Sequence, residues 1–208
     1  KMTGEYYLHL FSRKQPDLNW DNQTVRQEIY KMMNWWFDKG IDGFRLDVIN
    51  LIGKSDTLPD LPNPIQRDYR MISNQDQAHD YIQEMYRESI SKYDIMTVGE
   101  CVGVDVQEGV KFVDETRGEL NMIIHFEHVH LDHHPEEGKF GFQKSRVTHL
   151  KKVFTAWQEG LYRKGWNCNY LGNHDQPRIV SRFGNDDAKY WKASAKMLAT
   201  FLMTLHGT

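Results

Sequence analysis

"GFRLDVIN" (Gly43–Asn50) is a short apolar run that carries an arginine and an aspartate two positions apart. Side chains of a strand alternate between its faces, so Arg45 and Asp47 share one face while Phe44, Leu46 and Val48 share the other. A buried strand that aims charge one way and apolar bulk the other needs two different surroundings. Helices suit the apolar face, and the mouth of a binding site suits the charged one.

The neighbouring sequence supplies both. Upstream, "NQTVRQEIYKMMNWWFDKG" places Val25, Ile29, Met32 and Trp36 at helical spacing, with Thr24 and Gln27 as a capping box and Gly40 as the stop. Downstream comes a Pro-rich loop, Gly53–Gln75, then a helix over 76–92 and the strand "DIMTVGE". A third helix is expected near 105–114, followed by the strand "LNMIIHFEH", the helix "RVTHLKKVFTAWQEGLY" and the strand "NCNYLGNHD". A last helix is expected over 188–205. Strands and helices in strict alternation predict a parallel sheet covered by helices.

The polar residues decide which parallel architecture this is. Arg45 and Asp47, Glu100, Glu127, and Asn173 with Asp175 all fall at the C-terminal ends of successive strands. A (β/α)8 barrel gathers its site at that end. No G-x-G-x-x-G turn follows any strand, so a dinucleotide fold has little support. The expected fold is therefore α/β, a (β/α)8 TIM-barrel catalytic domain with about its second half in this chain. Residues 1–22 would end a preceding segment, and 23–208 would form about four strands with their helices. The opening "KMTGEYYLHLF" and the closing "LHGT" suggest a piece of something longer.

Composition narrows the function. Over 208 residues, 12% are aromatic, which marks a packed protein rather than a disordered chain. The net charge is −3 without a basic run, so nucleic acid and anionic membranes have no electrostatic claim. Its most apolar helical stretch, "MLATFLMTL", is too short to span a bilayer. Cys101 and Cys168 lack metal or disulfide-scaffold spacing and read as free thiols in a reducing, cytoplasmic setting.

Three carboxylates, Asp47, Glu100 and Asp175, close three different strands. Such a site suits cleavage of an acetal: one carboxylate attacks the anomeric carbon while an acid protonates the leaving oxygen. Arg45 beside Asp47 would keep it ionised, whereas a water-poor pocket and neighbouring carboxylates would raise Glu100. Taken singly, each is as compatible with a solvated loop. "HFEHVHLDHH" (His125–His134) offers a metal site as the competing reading, but it has no H-E-x-x-H pattern and no cysteine at zinc spacing. Surface or strand-end histidines are the expectation there, and no metal is assigned.

At these residues a family comes into view. "DGFRLDVIN", "TVGE" and "NHDQPR" resemble signature regions of glycoside hydrolase family 13, the α-amylase family. "QPDLNW" (Gln15–Trp20) is similar to the region that marks its oligo-1,6-glucosidase and related α-glucosidase branch. The resemblance implies that Asp47 is the nucleophile, Glu100 the general acid/base and Asp175 the carboxylate that stabilises the distorted sugar. It implies that Arg45 and His174 contact the glucosyl unit, with Asn173 and Arg178 in the same motif and Glu127 as a further strand-end candidate. In this branch Val after the nucleophile tends to accompany α-1,6 linkages, and here it is Val48. Trehalose-6-phosphate hydrolases share that Val and are the alternative, along with α-1,4-glucosidases; non-catalytic transporter-associated subunits are a remote one. The substrate would be an oligosaccharide. No cofactor is required for the chemistry, and a structural calcium would belong to a segment outside this chain. The loop Gly53–Gln75 and "CVGVD" after Glu100 depart from the familiar pattern.

Overall fold

Helix α1 (Gln23–Asp38) starts two residues before the anticipated capping box: Asn22 is the N-cap, and its side chain accepts the Thr24 N–H at 2.9 Å. An Asn ahead of the first turn satisfies an orphan N–H without needing a glutamine partner. The helix buries Tyr30, Met33 and Phe37 and ends as expected at Gly40, whose φ of 89° is the left-handed conformation glycine tolerates. Strand β1 (Gly43–Leu46) follows. The computed structural model describes residues 4–55, 57, 72–143 and 146–208. Most of the Pro-rich loop, and the departure noted there, lies outside the described residues.

Four strands form one parallel sheet in the order β1, β2 (Met96–Glu100), β3 (Met122–Ile124) and β6 (Trp166–Asn167). Gly43 pairs with Met96, and a Cβ there would lie 1.8 Å from the Met96 carbonyl oxygen, so only glycine lets the two backbones meet. Between the strands run α2 (Asp76–Glu88), α3 (Val106–Val113) and α4 (Val147–Leu161). Their inward faces and the sheet share one core containing Tyr30, Met33, Phe37, Ile82, Met85, Phe112, Ile123, Trp157 and Leu161. Phe44 meets Phe37 edge to face and Leu46 packs on the same core, while Arg45 points the other way. The expected alternation is present, and it makes an arc of a (β/α)8 barrel.

Several boundaries differ. Strand β1 stops at Leu46, so Asp47 and Val48 belong to the turn beyond it rather than to the alternating strand. The fourth strand is only two residues long, and the backbone around its end pairs with the last residue of the chain. Asn169 donates its N–H to the Thr208 carbonyl at 2.6 Å, and Thr208 donates to the Asn167 carbonyl at 2.9 Å. A hairpin, β4 (His133–His134) with β5 (Gly138–Phe142), and a short helix α5 (Ile179–Phe183) were not foreseen. The last helix, α6 (Trp191–Met203), is shorter than expected and packs Leu198 against Phe154 and Leu171 in a second cluster.

Candidate active site

Register sets the site. Arg45 is level with Val98 and Leu46 with Gly99, so the next residues, Asp47 and Glu100, stand side by side at the C-terminal ends of neighbouring strands. Arg45 joins them. One of its terminal nitrogens donates to Asp47 Oδ1 and the other to Glu100 Oε2, the latter at 2.5 Å. Val48 adds its backbone N–H toward the same Glu100 oxygen at 3.4 Å.

The two carboxylates sit in different surroundings. The Glu100 side chain is 5% exposed and that of Asp47 is 74% exposed. Burial pushes the Glu100 carboxyl above the usual range, the Arg45 charge and the Val48 N–H pull it back, and the adjacent Asp47 pushes it up again. The net direction is upward. An upward direction suits a carboxyl that has to carry a proton.

Asn173, His174 and Asp175 lie in a turn beyond β6 rather than at the end of a long strand. Asn173 Oδ1 accepts the Asp175 N–H at 2.9 Å, and His174 Nε2 lies 3.4 Å from Asp175 Oδ2. This turn is held from outside. Lys139, on the hairpin, donates to the Asp175 carbonyl at 2.6 Å. Arg182, fully buried on α5, pairs with Asp132 and donates to the Val129 carbonyl at 2.6 Å and to Gln176 Oε1 at 3.4 Å. Sequence reasoning missed Arg182 and Lys139, although Arg182 lies only four residues beyond "NHDQPR". Arg178 is exposed at the N-cap of α5.

Glu127 is not brought to this mouth. Strand β3 ends at Ile124, and the chain then turns through His128–His130, so Glu127 faces α4, where Oε2 accepts the Trp157 indole N–H at 2.6 Å. It lines a groove of about 570 Å³ with Asp105, Gln107, His149 and Lys152, none of them a mouth residue.

The histidine run is corrected too. His125, one residue past the end of β3, and His128 are buried rather than on the surface. The His125 ring stacks on Trp157 at 3.9 Å and 8°, and His128 packs against Phe154 and Tyr170. Burial drives His125 well below its ordinary value and His128 down to about 4, so both are neutral aromatic discs at neutral pH. Among the described residues no three His, Cys, Asp or Glu side chains gather in a way that could hold a metal ion.

The chain matches the model of the alpha-amylase catalytic domain over residues 1–208. It is similar to an oligo-1,6-glucosidase of Parageobacillus thermoglucosidasius, 56% identical, with 100% of this chain and 37% of that protein covered. Among solved structures it is similar to a trehalose-6-phosphate hydrolase of Bacillus licheniformis, with TM-score 0.89 and 44% identity over 98% of this chain and 36% of that one. An isomaltulose synthase of Erwinia rhapontici gives TM-score 0.91 and 38% identity, covering 99% and 37%. The chain thus spans little more than a third of the length of the proteins it matches.

Proposed function

The chain belongs to the α-amylase catalytic-domain family, and from that premise we propose that the protein carrying it is a retaining α-glucosidase. It releases terminal α-1,6-linked glucose from isomalto-oligosaccharides. One observation carries this reading: Asp47 and Glu100 each follow directly on the last paired residues, Leu46 and Gly99, of two hydrogen-bonded parallel strands, with Arg45 bonded to both. Neighbouring strands lie about 4.7–4.9 Å apart. Retaining glycosidases hold their two carboxyl groups about 5–5.5 Å apart, and inverting ones about 6.5–9.5 Å. Adjacent strand ends suit the first geometry.

The steps follow from that placement. Asp47 attacks the anomeric carbon as Glu100 gives its proton to the leaving oxygen, so the glycosidic bond breaks and a glucosyl ester forms on Asp47. Glu100, now a carboxylate, takes a proton from water, whose oxygen displaces Asp47 from the sugar. Glucose leaves with its anomeric configuration kept, and Glu100 regains its proton. Asp175 and His174 bind the distorted sugar ring, Asn173 and Arg178 support them, and Glu127 takes no part. Val48, next to the nucleophile, favours the α-1,6 linkage.

Trehalose-6-phosphate hydrolysis is the second reading, favoured by the likeness to the Bacillus licheniformis enzyme; Val48 fits it equally. All three carboxylates are present, which speaks against a non-catalytic transporter subunit. No cofactor enters the steps, and any structural calcium would be held outside this chain. No helix among the described residues is long and apolar enough to cross a membrane. The two free cysteines, Cys101 and Cys168, support a cytoplasmic setting. Incubating the full-length protein with isomaltose, maltose, trehalose 6-phosphate and sucrose tests the proposal. Isomaltose turned over fastest, with α-glucose as first product, is the expected result; preference for the phosphorylated sugar would replace it with the second reading.

A further inference from the structure

The turn after Asp47 is built in a conformation its residue avoids. Val48 has φ 37° and ψ 43°, the left-handed region. A β-branched residue there is an outlier that persists only where its surroundings over-determine it. What holds it is two residues on.

Asn50 is fully buried, and every polar atom of its side chain is used. Nδ2 donates to Asn74 Oδ1 and to the Val102 carbonyl, each at 2.7 Å, while Oδ1 accepts the Val102 N–H at 3.1 Å. Asn74 closes the circuit, donating its N–H to the Asn50 carbonyl at 3.0 Å and its Nδ2 to the Gly103 carbonyl at 3.2 Å. Leu51 donates to the Val48 carbonyl at 2.9 Å, completing the turn. Val102 and Gly103 belong to the loop after Glu100. Asn50 thus ties the loop that carries Asp47 to the loop that follows Glu100, in both directions.

We propose that Asn50 is a positioning residue: it clamps the two loops at a fixed offset and holds Val48 in the left-handed turn that aims its N–H at Glu100. The inference rests on the reading of Asp47 and Glu100 as the catalytic pair. An N–H on a carboxylate favours its charged form, so the clamp restrains the rise that burial imposes on Glu100. A group that must give a proton and then take one gains from being held between the extremes.

The test uses the full-length protein and Asn50→Ser, which keeps a small polar group but loses both donors. Three measurements are made: kcat and KM on isomaltose and an aryl α-glucoside, the pH profile of kcat/KM, and the titration of Glu100 by 13C NMR with Glu100→Gln as the assignment control. Misplacing a reacting group by about 1 Å costs about 10²-fold, so kcat should fall by about that factor with KM changed less than about threefold. The Glu100 titration and the alkaline limb of the profile should both move up by about half a pH unit. Adding Val48→Gly should return part of the lost kcat, since glycine adopts the left-handed turn without a clamp. Should Asn50→Ser fail to fold, Asn74→Ala removes two of the bonds and should shift both readouts the same way, more weakly. A folded variant whose Glu100 titration does not move overturns the clamp, whatever happens to kcat. Wild-type protein that cleaves no α-glucoside would sink the proposed function instead, and the Glu100 titration would still decide the role of Asn50.

Discussion

Below pH 6.5 this fold should lose stability through His128, and His128→Phe should prevent it. The ring is 2% exposed, with neither nitrogen in a hydrogen bond of good geometry, and burial takes its pKa down to about 4. An unfolded histidine titrates near 6.5. Between those values the unfolded chain binds a proton that the folded chain refuses, so stability is fully present above pH 6.5 and drains away as pH falls toward 4. One group contributes about 1.4 kcal/mol per pH unit, hence about 3 kcal/mol over the window. His125 is lowered too and adds in the same direction. His130, lowered to about 4 as well, is exposed enough for solvent to blunt its share.

Phenylalanine at 128 keeps an aromatic disc against Phe154, 5.1 Å away, and Tyr170, 4.6 Å away, and removes two buried polar atoms. At pH 7.5 the substitution should therefore change stability little. Urea unfolding of the full-length protein, followed by tryptophan fluorescence at pH 7.5, 6.5, 5.5 and 4.5, reads the effect. The variant should gain on wild type by about 1.4 kcal/mol for each pH unit below 6.5, reaching about 2.5 kcal/mol at pH 4.5. Parallel curves would refute the assignment of His128 as a buried neutral residue.

Asp47→Asn should abolish turnover of every α-glucoside, because an amide does not form the glycosyl ester; measurable steady-state turnover would remove Asp47 as nucleophile. Glu100→Gln should cripple isomaltose far more than an aryl or fluoride glucoside in the glycosylation step, and equal losses would mean that Glu100 is not the acid. Val48→Ala or Val48→Thr should move the isomaltose-to-maltose ratio toward maltose by about tenfold, the worth of a methyl or two in a pocket; an unchanged ratio would leave Val48 to the turn alone. The 208-residue chain by itself exposes Met32, Trp35 and Trp36 on α1 and Met96 and Trp166 on the sheet, so it should aggregate and stay below about one-tenth of the full-length rate on an aryl α-glucoside. A monodisperse chain above that rate would show that these faces need no cover.

Arg45, Asp47 and Glu100 were legible because each follows a short apolar run, and a parallel sheet brings such ends together whatever the loops do. The helices were legible for the same kind of reason: α1 and α4 repeat their apolar residues at helical spacing over many turns. What stayed hidden is set by tertiary bonds rather than by pattern. Nothing in "DVIN" distinguishes a sixth strand residue from a left-handed Val48, because the clamp that decides it comes from Asn74 and Val102. "HFEHVH" reads as polar, yet neutral imidazoles beside Trp157, Phe154 and Tyr170 pack as rings. The bonds from the end of β6 to His206 and Thr208 join residues nearly forty positions apart, which no local pattern reveals.

The unequal fates of two carboxylates at one level come from the position of their strands. Strand β2 lies inside the sheet, and its ladder runs through Glu100, which is paired with Ile124, while Cys101 donates its N–H to the Ile124 carbonyl at 3.0 Å. Strand β1 leaves the ladder at Leu46, so Asp47 stands one residue past its last pair and opens to solvent. Glu100 has strands on both sides of β2, whereas β1 is the edge strand of this chain and Asp47 has a neighbouring strand on one side only. Extending β1 by a single paired residue would set Asp47 in the ladder directly beside Glu100, with the one Arg45 guanidinium between the two carboxylates. The left-handed Val48 forbids that extension, since no strand residue has its dihedral angles. The same turn that ends the strand also turns the Val48 N–H toward Glu100, so one local conformation sets both where β1 stops and what faces the Glu100 carboxyl.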